Sequence, residues 1–186
     1  MAHRHHRPAH RHAYRGLLAV LMLCSFLIIT AKPATAGLDI VKTANSAIRA
    51  HQAGDRHEAL ALYTLVIDSN ELNHGEHLLT YVYNNRGALW RDFGQYDKAI
   101  DDFTHAIDNR PDPVSYMSRG NTWVDLGDDR RAIEDYTASI RMRPDYARAY
   151  NNRAFAWLNL GQVDNAKADF ARARQLDPSI ENLTMD

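Results

Sequence analysis

The 186-residue sequence predicts an all-α fold, a solenoid in which four helical hairpins stack side by side. The first observation is an internal repeat: Gly54, Gly94, Gly127 and Gly161 lie 40, 33 and 34 residues apart, each before a polar pair or triplet and a further helical segment. The second is that prolines close the last three segments, where a helix cannot continue. Because one hairpin cannot bury its apolar face alone, the repeat predicts stacking.

Charge divides the chain into a basic start and an acidic body. Residues 1–36 hold five Lys/Arg and no Asp or Glu, whereas the other 150 residues hold 17 Lys/Arg and 23 Asp/Glu, a net charge of −6. An acidic body argues against nucleic acid as a partner, because phosphate binding requires clustered cations. The only cysteine, Cys24, lies in the apolar part of the basic segment, so an intramolecular disulfide is excluded and thiol catalysis is disfavoured.

The first 36 residues have the features of a secretory signal peptide. Basic residues 1–15 precede the uncharged residues 16–30, and Ala34-Thr35-Ala36 forms an A-x-A site. The apolar run is shorter than the roughly 20 residues of a membrane-spanning helix, so we expect cleavage after Ala36 rather than a retained anchor, and no membrane contact afterwards. A bacterial periplasm is the favoured location, and release outside the cell or a eukaryotic secretory route stays open.

The first hairpin, at about residues 40–73, is a degraded copy of the repeat. Thr43 and Ala50 stand where the later copies have Tyr and Trp. Such small residues suit a terminal repeat with no neighbour upstream. An insertion at 74–79 accounts for the longer first spacing, and we expect it to form either a loop or an extended start of the next helix.

The remaining three hairpins are close copies of one unit. Their small residues, Gly87, Gly120 and Ala154, let two helices approach closely, while aromatic side chains fill the space around them. The three units occupy about residues 80–112, 113–146 and 147–178, and residues 179–186 form a short tail. The shared positions are Tyr83, Arg86, Gly87, Trp90, Ala99, Phe103 and Pro111, then Tyr116, Arg119, Gly120, Trp123, Ala132, Tyr136 and Pro144, then Tyr150, Arg153, Ala154, Trp157, Ala166, Phe170 and Pro178.

These positions give residues 40–178 a close resemblance to the tetratricopeptide repeat family. The family pattern runs aromatic-x2-L-G-x2-aromatic, then A-x3-F, then P, and here Arg replaces its Leu. The resemblance implies a right-handed α-α superhelix. It also implies that the first helices of the units line a concave face, which usually carries the ligand contacts.

The fourth hairpin is predicted to end the array. Two equivalent positions on each second helix, which we call the seam, are apolar in the first three units, whereas the last unit has Lys167 and Arg174 there. Burying unpaired charges is costly, so we expect this seam to face the next repeat and the array to stop at four units. The apolar seam residues are Leu60, Ile67, Ile100, Ile107, Ile133 and Ile140.

An arginine and an aspartate recur together in the last three units, and the first unit lacks both. The pairs are Arg86 with Asp102, Arg119 with Asp135, and Arg153 with Asp169. Joint presence and joint absence predict that each arginine pairs with the aspartate of its own hairpin. A repeated ion pair that sets helix register is favoured over a catalytic role.

The resemblance places a binding groove along the first helices. Asn45, Asn85, Ser118 and Asn152 fall at one equivalent place, where their donors and acceptors could bind the backbone of an extended peptide. The alternative is that these side chains only cap or solvate the helices. The predicted groove residues are Val41, Asn45, Ile48, Tyr81, Asn84, Asn85, Arg91, Val114, Met117, Ser118, Asn121, Arg148, Asn151, Asn152 and Phe155.

Enzyme signatures are missing from the sequence. It has no phosphate loop, no dinucleotide glycine motif and no nucleophile with a recognisable partner, so neither catalysis nor a cofactor is expected. Glu71, His74, Glu76 and His77 form the best metal-like cluster, but a polar loop is favoured over a zinc site there. A metal-dependent hydrolase is therefore the weakest hypothesis.

The sequence favours a non-catalytic scaffold or adaptor of the cell envelope that binds a protein or an extended peptide in its groove. The lysine-rich carboxylate clamp of some relatives is absent, because Ala44 and Ile48 stand at its first Lys and Asn positions. The alternative is a structural subunit of an envelope assembly that uses its convex face or its ends. The sequence names neither the partner nor the oligomeric state.

Overall fold

The computed structural model describes residues 39–69 and 76–180, and all regular structure within them is helical. The helices are α1 (Ile40–Ala53), α2 (Arg56–Asp68), α3 (Glu76–Asp92), α4 (Tyr96–Asn109), α5 (Pro113–Asp125), α6 (Asp129–Met142), α7 (Ala147–Asn159) and α8 (Val163–Leu176). The predicted all-α solenoid is confirmed. The expected signal peptide lies outside the described residues, as does the tail beyond residue 180.

Helix packing follows chain order. Each helix packs on its neighbours in sequence, and the first helices of successive hairpins also touch, α3 with α5 and α5 with α7. The first helices therefore form one layer and the second helices another. Within the described ranges, none of the helices combines the length and apolar character that a membrane crossing requires.

Short polar residues and glycines set where the helices begin and end. The Asp112 carboxylate accepts a hydrogen bond from the Val114 amide at 2.8 Å, and α5 starts with Pro113, which lacks an N–H to satisfy. Between α5 and α6, Gly127 has a φ of 79°, and its N–H donates to the Val124 carbonyl at 2.9 Å. Glycine adopts this left-handed conformation without strain, so the chain can reverse there.

The core of each hairpin is an aromatic ring packed on a small residue of the facing helix. In the third hairpin a Cβ on Gly120 would lie 2.8 Å from Cε1 of Tyr136, which is closer than a carbon contact allows. Glycine at this position therefore permits the close approach of α5 and α6. The equivalent buried rings in the four hairpins are Tyr63, Phe103, Tyr136 and Phe170.

The insertion between the first two hairpins extends a helix. Helix α3 begins at Glu76 and has 17 residues, whereas α5 and α7 have 13 each. Residues 76–79 therefore form its extra first turn rather than a loop, because the chain has no helix-breaking residue after Gly75 and the turn continues the hydrogen-bond ladder. The described part of the insertion is thus an extended start of α3, which was the second of the two expected structures.

The seam of the second helices changes from buried to exposed along the array. Ile107, Ile133 and Ile140 are buried, whereas Lys167 and Arg174 on α8 are exposed. Burial of the isoleucines removes apolar surface from water where the next hairpin packs.

Candidate functional site

Three arginines of the first helices reach the aspartates of the second helices in their own hairpins. The distances are 2.8 Å from Arg86 Nη2 to Asp102 Oδ1, 2.8 Å from Arg119 Nη2 to Asp135 Oδ1, and 2.7 Å from Arg153 Nε to Asp169 Oδ2. Each guanidinium donates through two nitrogens to two carboxylate oxygens, a bidentate geometry that fixes both side chains. The hydrogen bonds with Asp135 raise the pKa of the Arg119 guanidinium above its ordinary value.

The remaining guanidinium nitrogen of each arginine binds the preceding hairpin. Nη1 donates to a threonine Oγ1 in every case: from Arg86 to Thr64 at 3.3 Å, from Arg119 to Thr104 at 3.0 Å and from Arg153 to Thr137 at 2.9 Å. Each arginine therefore joins three helices. This role was not predicted, although a threonine follows the buried aromatic residue in the first three units and Ala171 stands there in the fourth. These residues position the hairpins relative to one another.

Each first helix exposes one large apolar side chain. The exposed fractions are 55% for Val41 on α1, 42% for Tyr81 on α3, 39% for Val114 on α5 and 39% for Phe155 on α7. All four belong to the predicted groove. We call them the groove stripe. Val41, Tyr81 and Val114 stand at one equivalent position of the repeat, where the fourth hairpin has Arg148, and Phe155 lies further along α7. Exposed apolar side chains of this kind can serve as an interaction site.

A pocket of about 630 Å³ lies between α3 and α5, around two members of the groove stripe. Its lining residues are His77, Thr80, Tyr81, Asn84, Asn85, Ala88, Arg110, Asp112, Pro113, Val114, Ser118 and Arg143. Five of these, Tyr81, Asn84, Asn85, Val114 and Ser118, are predicted groove residues, so the structure brings them together around one cavity.

The row of amide side chains is largely engaged in bonds within the protein. Asn85 Nδ2 donates to the Tyr81 carbonyl at 2.7 Å. Asn152 Nδ2 donates to Asn121 Oδ1 at 2.8 Å, and the Tyr136 hydroxyl donates to the same oxygen at 2.8 Å. Of the three asparagines at this equivalent place, Asn45 is exposed, whereas Asn85 and Asn152 are partly buried.

Several other predicted groove residues also connect neighbouring hairpins. Asn84 Nδ2 donates to Ser115 Oγ at 2.7 Å, and Arg91 Nε donates to Asp125 Oδ2 at 2.5 Å. The remaining residues divide by burial. Met117 packs partly buried against the core of the third hairpin, Asn151 has a buried amide oxygen, and Arg148 is exposed.

Two arginines of the pocket were not predicted. Arg110 and Arg143 lie in the turns that follow α4 and α6, and both are exposed. The sequence carries a signal for them, because Arg-Pro-Asp occurs at both turns. The predicted metal-like cluster is described only in part: His77 contacts the Arg110 guanidinium through Nδ1, and the side chains of Glu71, His74 and Glu76 lie outside the described residues.

These features define a class of protein, an α-α solenoid whose first helices form one layer. Family models make the class specific, because the tetratricopeptide repeat matches residues 80–113 and 147–180. These two segments of the chain are therefore similar to the tetratricopeptide repeat. No curated protein sequence shows a significant match to it.

Solved structures with the same repeat superimpose on the chain. The first tetratricopeptide domain of Spaghetti (RPAP3), bound to the HSP90 peptide SRMEEVD, is 28% identical with a TM-score of 0.56, covering 58% of this chain and 86% of that chain. MamA is 19% identical with a TM-score of 0.69 and covers 75% and 79%. YrrB, a protein with an unusual peptide-binding site, is 19% identical with a TM-score of 0.64 and covers 75% and 70%. The last two establish similarity of fold.

Proposed function

We propose that this protein is a non-catalytic scaffold that binds an extended protein segment along its concave face. The observation that carries the proposal is the groove stripe, one exposed apolar side chain on each first helix. An extended segment exposes side chains alternately, so part of them can pack on the stripe while its backbone faces the polar groups between. The structure of the first tetratricopeptide domain of Spaghetti with a bound peptide supports peptide binding as a function of this kind of fold.

We further propose that the protein acts outside the cytoplasm, in the cell envelope of a bacterium. The proposal rests on the basic, apolar and A-x-A pattern of residues 1–36. N-terminal sequencing of the protein recovered from a periplasmic extract is expected to begin at Gly37. Recovery only in the membrane fraction, with residues 1–36 still attached, would show that these residues are a retained anchor rather than a cleaved signal.

Replacement of groove-stripe residues tests the binding proposal. A Val41→Ser/Tyr81→Ser/Val114→Ser variant removes three exposed apolar side chains without touching the buried core. We expect partners that co-purify with the wild-type protein from cross-linked native cells to disappear with this variant, while its circular dichroism stays unchanged. Asparagines 121 and 152 are unsuitable targets, because their bonds join two hairpins.

A second candidate function is a structural subunit that binds through the edge of the array. Leu126, Leu160 and Val163 are exposed at the turns inside the last two hairpins, and Leu126 and Leu160 border a cavity of about 470 Å³. A Leu126→Ser/Leu160→Ser/Val163→Ser variant is the matched control for the groove variant. Loss of partners from this variant, with retention by the groove variant, would make the edge the binding surface.

A further inference from the structure

We infer that the pocket between α3 and α5 selects a ligand segment in which an acidic side chain stands next to an apolar one, with Arg110 and Arg143 binding the carboxylate. The inference rests on the proposed function, since it specifies the chemistry of the segment that the concave face binds. The arginines lie in the turns between hairpins, so this site differs from a clamp built on the first helices.

Neither guanidinium is neutralised by the protein. Arg110 contacts the His77 ring, and Arg143 lies over the Tyr146 ring with 4.6 Å between its Cζ and the ring centroid. Among the described residues, neither arginine forms an ion pair, in contrast to Arg86, Arg119 and Arg153. Two exposed guanidinium groups at one cavity are therefore available to a carboxylate, to which they can donate bidentate hydrogen bonds.

The one carboxylate in the lining is already engaged. Asp112 accepts hydrogen bonds from the amides of Val114 at 2.8 Å and Ser115 at 3.4 Å, and it also contacts the Ser115 hydroxyl. Its charge lies at the amino end of α5, where the helix dipole and free amides stabilise it. The lining therefore combines two exposed positive charges with one negative charge that α5 stabilises, so its net charge is positive.

An arginine before the closing proline occurs only in the second and third hairpins. Arg110 and Arg143 precede the prolines that close the second and third hairpins, whereas Asp177 precedes the proline that closes the fourth. Residues 37–186 carry a net charge of −6, yet the lining of this pocket holds two arginines and one aspartate. Charge complementarity selects an acidic segment, and the adjacent Tyr81 and Val114 select an apolar neighbour in it.

Selection from a phage-displayed library of random ten-residue peptides tests the inference on protein expressed from the full sequence. The wild type is compared with Arg110→Ala/Arg143→Ala and with Arg110→Glu/Arg143→Glu. The matched control is Arg141→Ala/Arg174→Ala, which removes the same charge from exposed arginines outside the pocket. We expect wild type and control to enrich Asp and Glu beside apolar residues, the alanine variant to lose the acidic enrichment, and the glutamate variant to enrich Lys and Arg.

The affinity of one selected peptide then measures the contact. Changing its acidic residue to the corresponding amide is expected to weaken binding to the wild type about tenfold and to leave binding to the alanine variant unchanged, by fluorescence anisotropy. Peptides enriched without an acidic bias, or with the same bias in the alanine variant, would overturn this inference and leave the groove proposal standing. Failure to enrich any peptide would overturn both, and self-association of the wild type but not the alanine variant would identify a second copy as the occupant.

Discussion

Tyr63 and Tyr136 occupy the same position in two hairpins but differ in what their hydroxyl groups bind. The Tyr136 hydroxyl donates to Asn121 Oδ1 at 2.8 Å. The Tyr63 hydroxyl is buried and has no hydrogen-bond partner among the described residues. A buried polar group without a partner destabilises the folded state, and the other two hairpins carry Phe at this position.

We therefore expect Tyr63→Phe to increase the free energy of unfolding by about 1 kcal/mol, because it removes an unpaired hydroxyl at constant ring packing. Tyr136→Phe is the matched control and is expected to lose about 1 kcal/mol, since it removes the hydrogen bond to Asn121 Oδ1, which then keeps only its bond from Asn152. Urea unfolding at pH 8 measures both changes. Loss of stability in Tyr63→Phe would show that its hydroxyl has a partner.

The same hydroxyl predicts a dependence on alkaline pH. Burial raises the pKa of Tyr63 from 10.0 to about 12, with the nearby Tyr81 adding to the rise, so the folded state favours the protonated form. Below the unfolded pKa near 10, ionisation of this group does not change the free energy of unfolding. As the pH rises from 10 toward 12, the hydroxyl ionises in the unfolded chain before it ionises in the folded one, so the free energy of unfolding falls. At pH 11 the advantage of Tyr63→Phe over wild type should have grown by about 1 kcal/mol relative to pH 8. A constant difference between the two pH values would contradict the raised pKa.

Removal of the Arg119 side chain should cost substantial stability. Its side chain is 20% exposed and that of Asp135 is 7% exposed, so Arg119→Ala leaves a nearly buried carboxylate without its partner. We expect a loss of about 3–5 kcal/mol. Thermal unfolding of Arg119→Ala, Asp135→Ala and the double variant is the measurement. The combined loss should be smaller than the sum of the single losses, and additive losses would exclude a direct pairing.

At the scale of the helices, the repeated arginines connect neighbouring hairpins and also join the two helices of their own hairpin. Thr104 of α4 accepts the bond from Arg119 of α5 at 3.0 Å. Thr104→Val is expected to cost about 1 kcal/mol, because a guanidinium N–H loses its acceptor. Thr122→Val is the control: its hydroxyl donates only to the Ser118 carbonyl of its own helix, and urea unfolding should detect little change. Equal losses in the two variants would show that the contact between hairpins adds nothing.

The sequence was sufficient to predict the helical hairpins and their turns, because glycine, proline and the aromatic spacing act locally. It left the insertion undecided between a loop and a helix, and residues 76–79 prove helical. The groove stripe was among the predicted residues, but the engagement of Asn121 and Asn152 was not foreseeable. That bond joins α5 to α7 across 31 residues. It depends on how one hairpin is rotated relative to the next, and the pattern within a single repeat does not specify this rotation.

Arg110 and Arg143 escaped prediction for a related reason. Each was a turn residue in the repeat pattern, and a turn arginine is ordinarily a solvated charge. Their significance arises only when stacking brings both turns to one cavity with Tyr81 and Val114. Contacts between units, rather than within them, are therefore where the sequence alone was least informative.

At the scale of the whole molecule, charge on the exposed seam of α8 predicts how copies of the array behave toward each other. Lys167→Ile/Arg174→Ile would give this helix the apolar seam that Ile133 and Ile140 give to α6. We expect the variant to self-associate through that face, because Ile133 and Ile140 at the equivalent positions of α6 are buried in the array. Light scattering during gel filtration measures the mass.

Lys167→Gln/Arg174→Gln serves as the control for this experiment. It removes the same charges but stays polar, so the mass of the wild type should be retained. Self-association of the glutamine variant would mean that charge repulsion alone keeps copies apart. A variant with isoleucine at both positions that keeps the wild-type mass would show that the seam of α8 does not resemble those of the earlier hairpins.

The arginine–threonine bonds also determine how the array would respond to a pulling force. Within the described residues, each of the two central hairpins takes part in two such bonds, whereas the first and the fourth take part in one each. Under tension applied between the two ends, the outer hairpins should peel away first, and the central pair should persist to the highest force. The pocket with Arg110 and Arg143 lies in that central pair, so a ligand bound there would be released last as the chain is stretched.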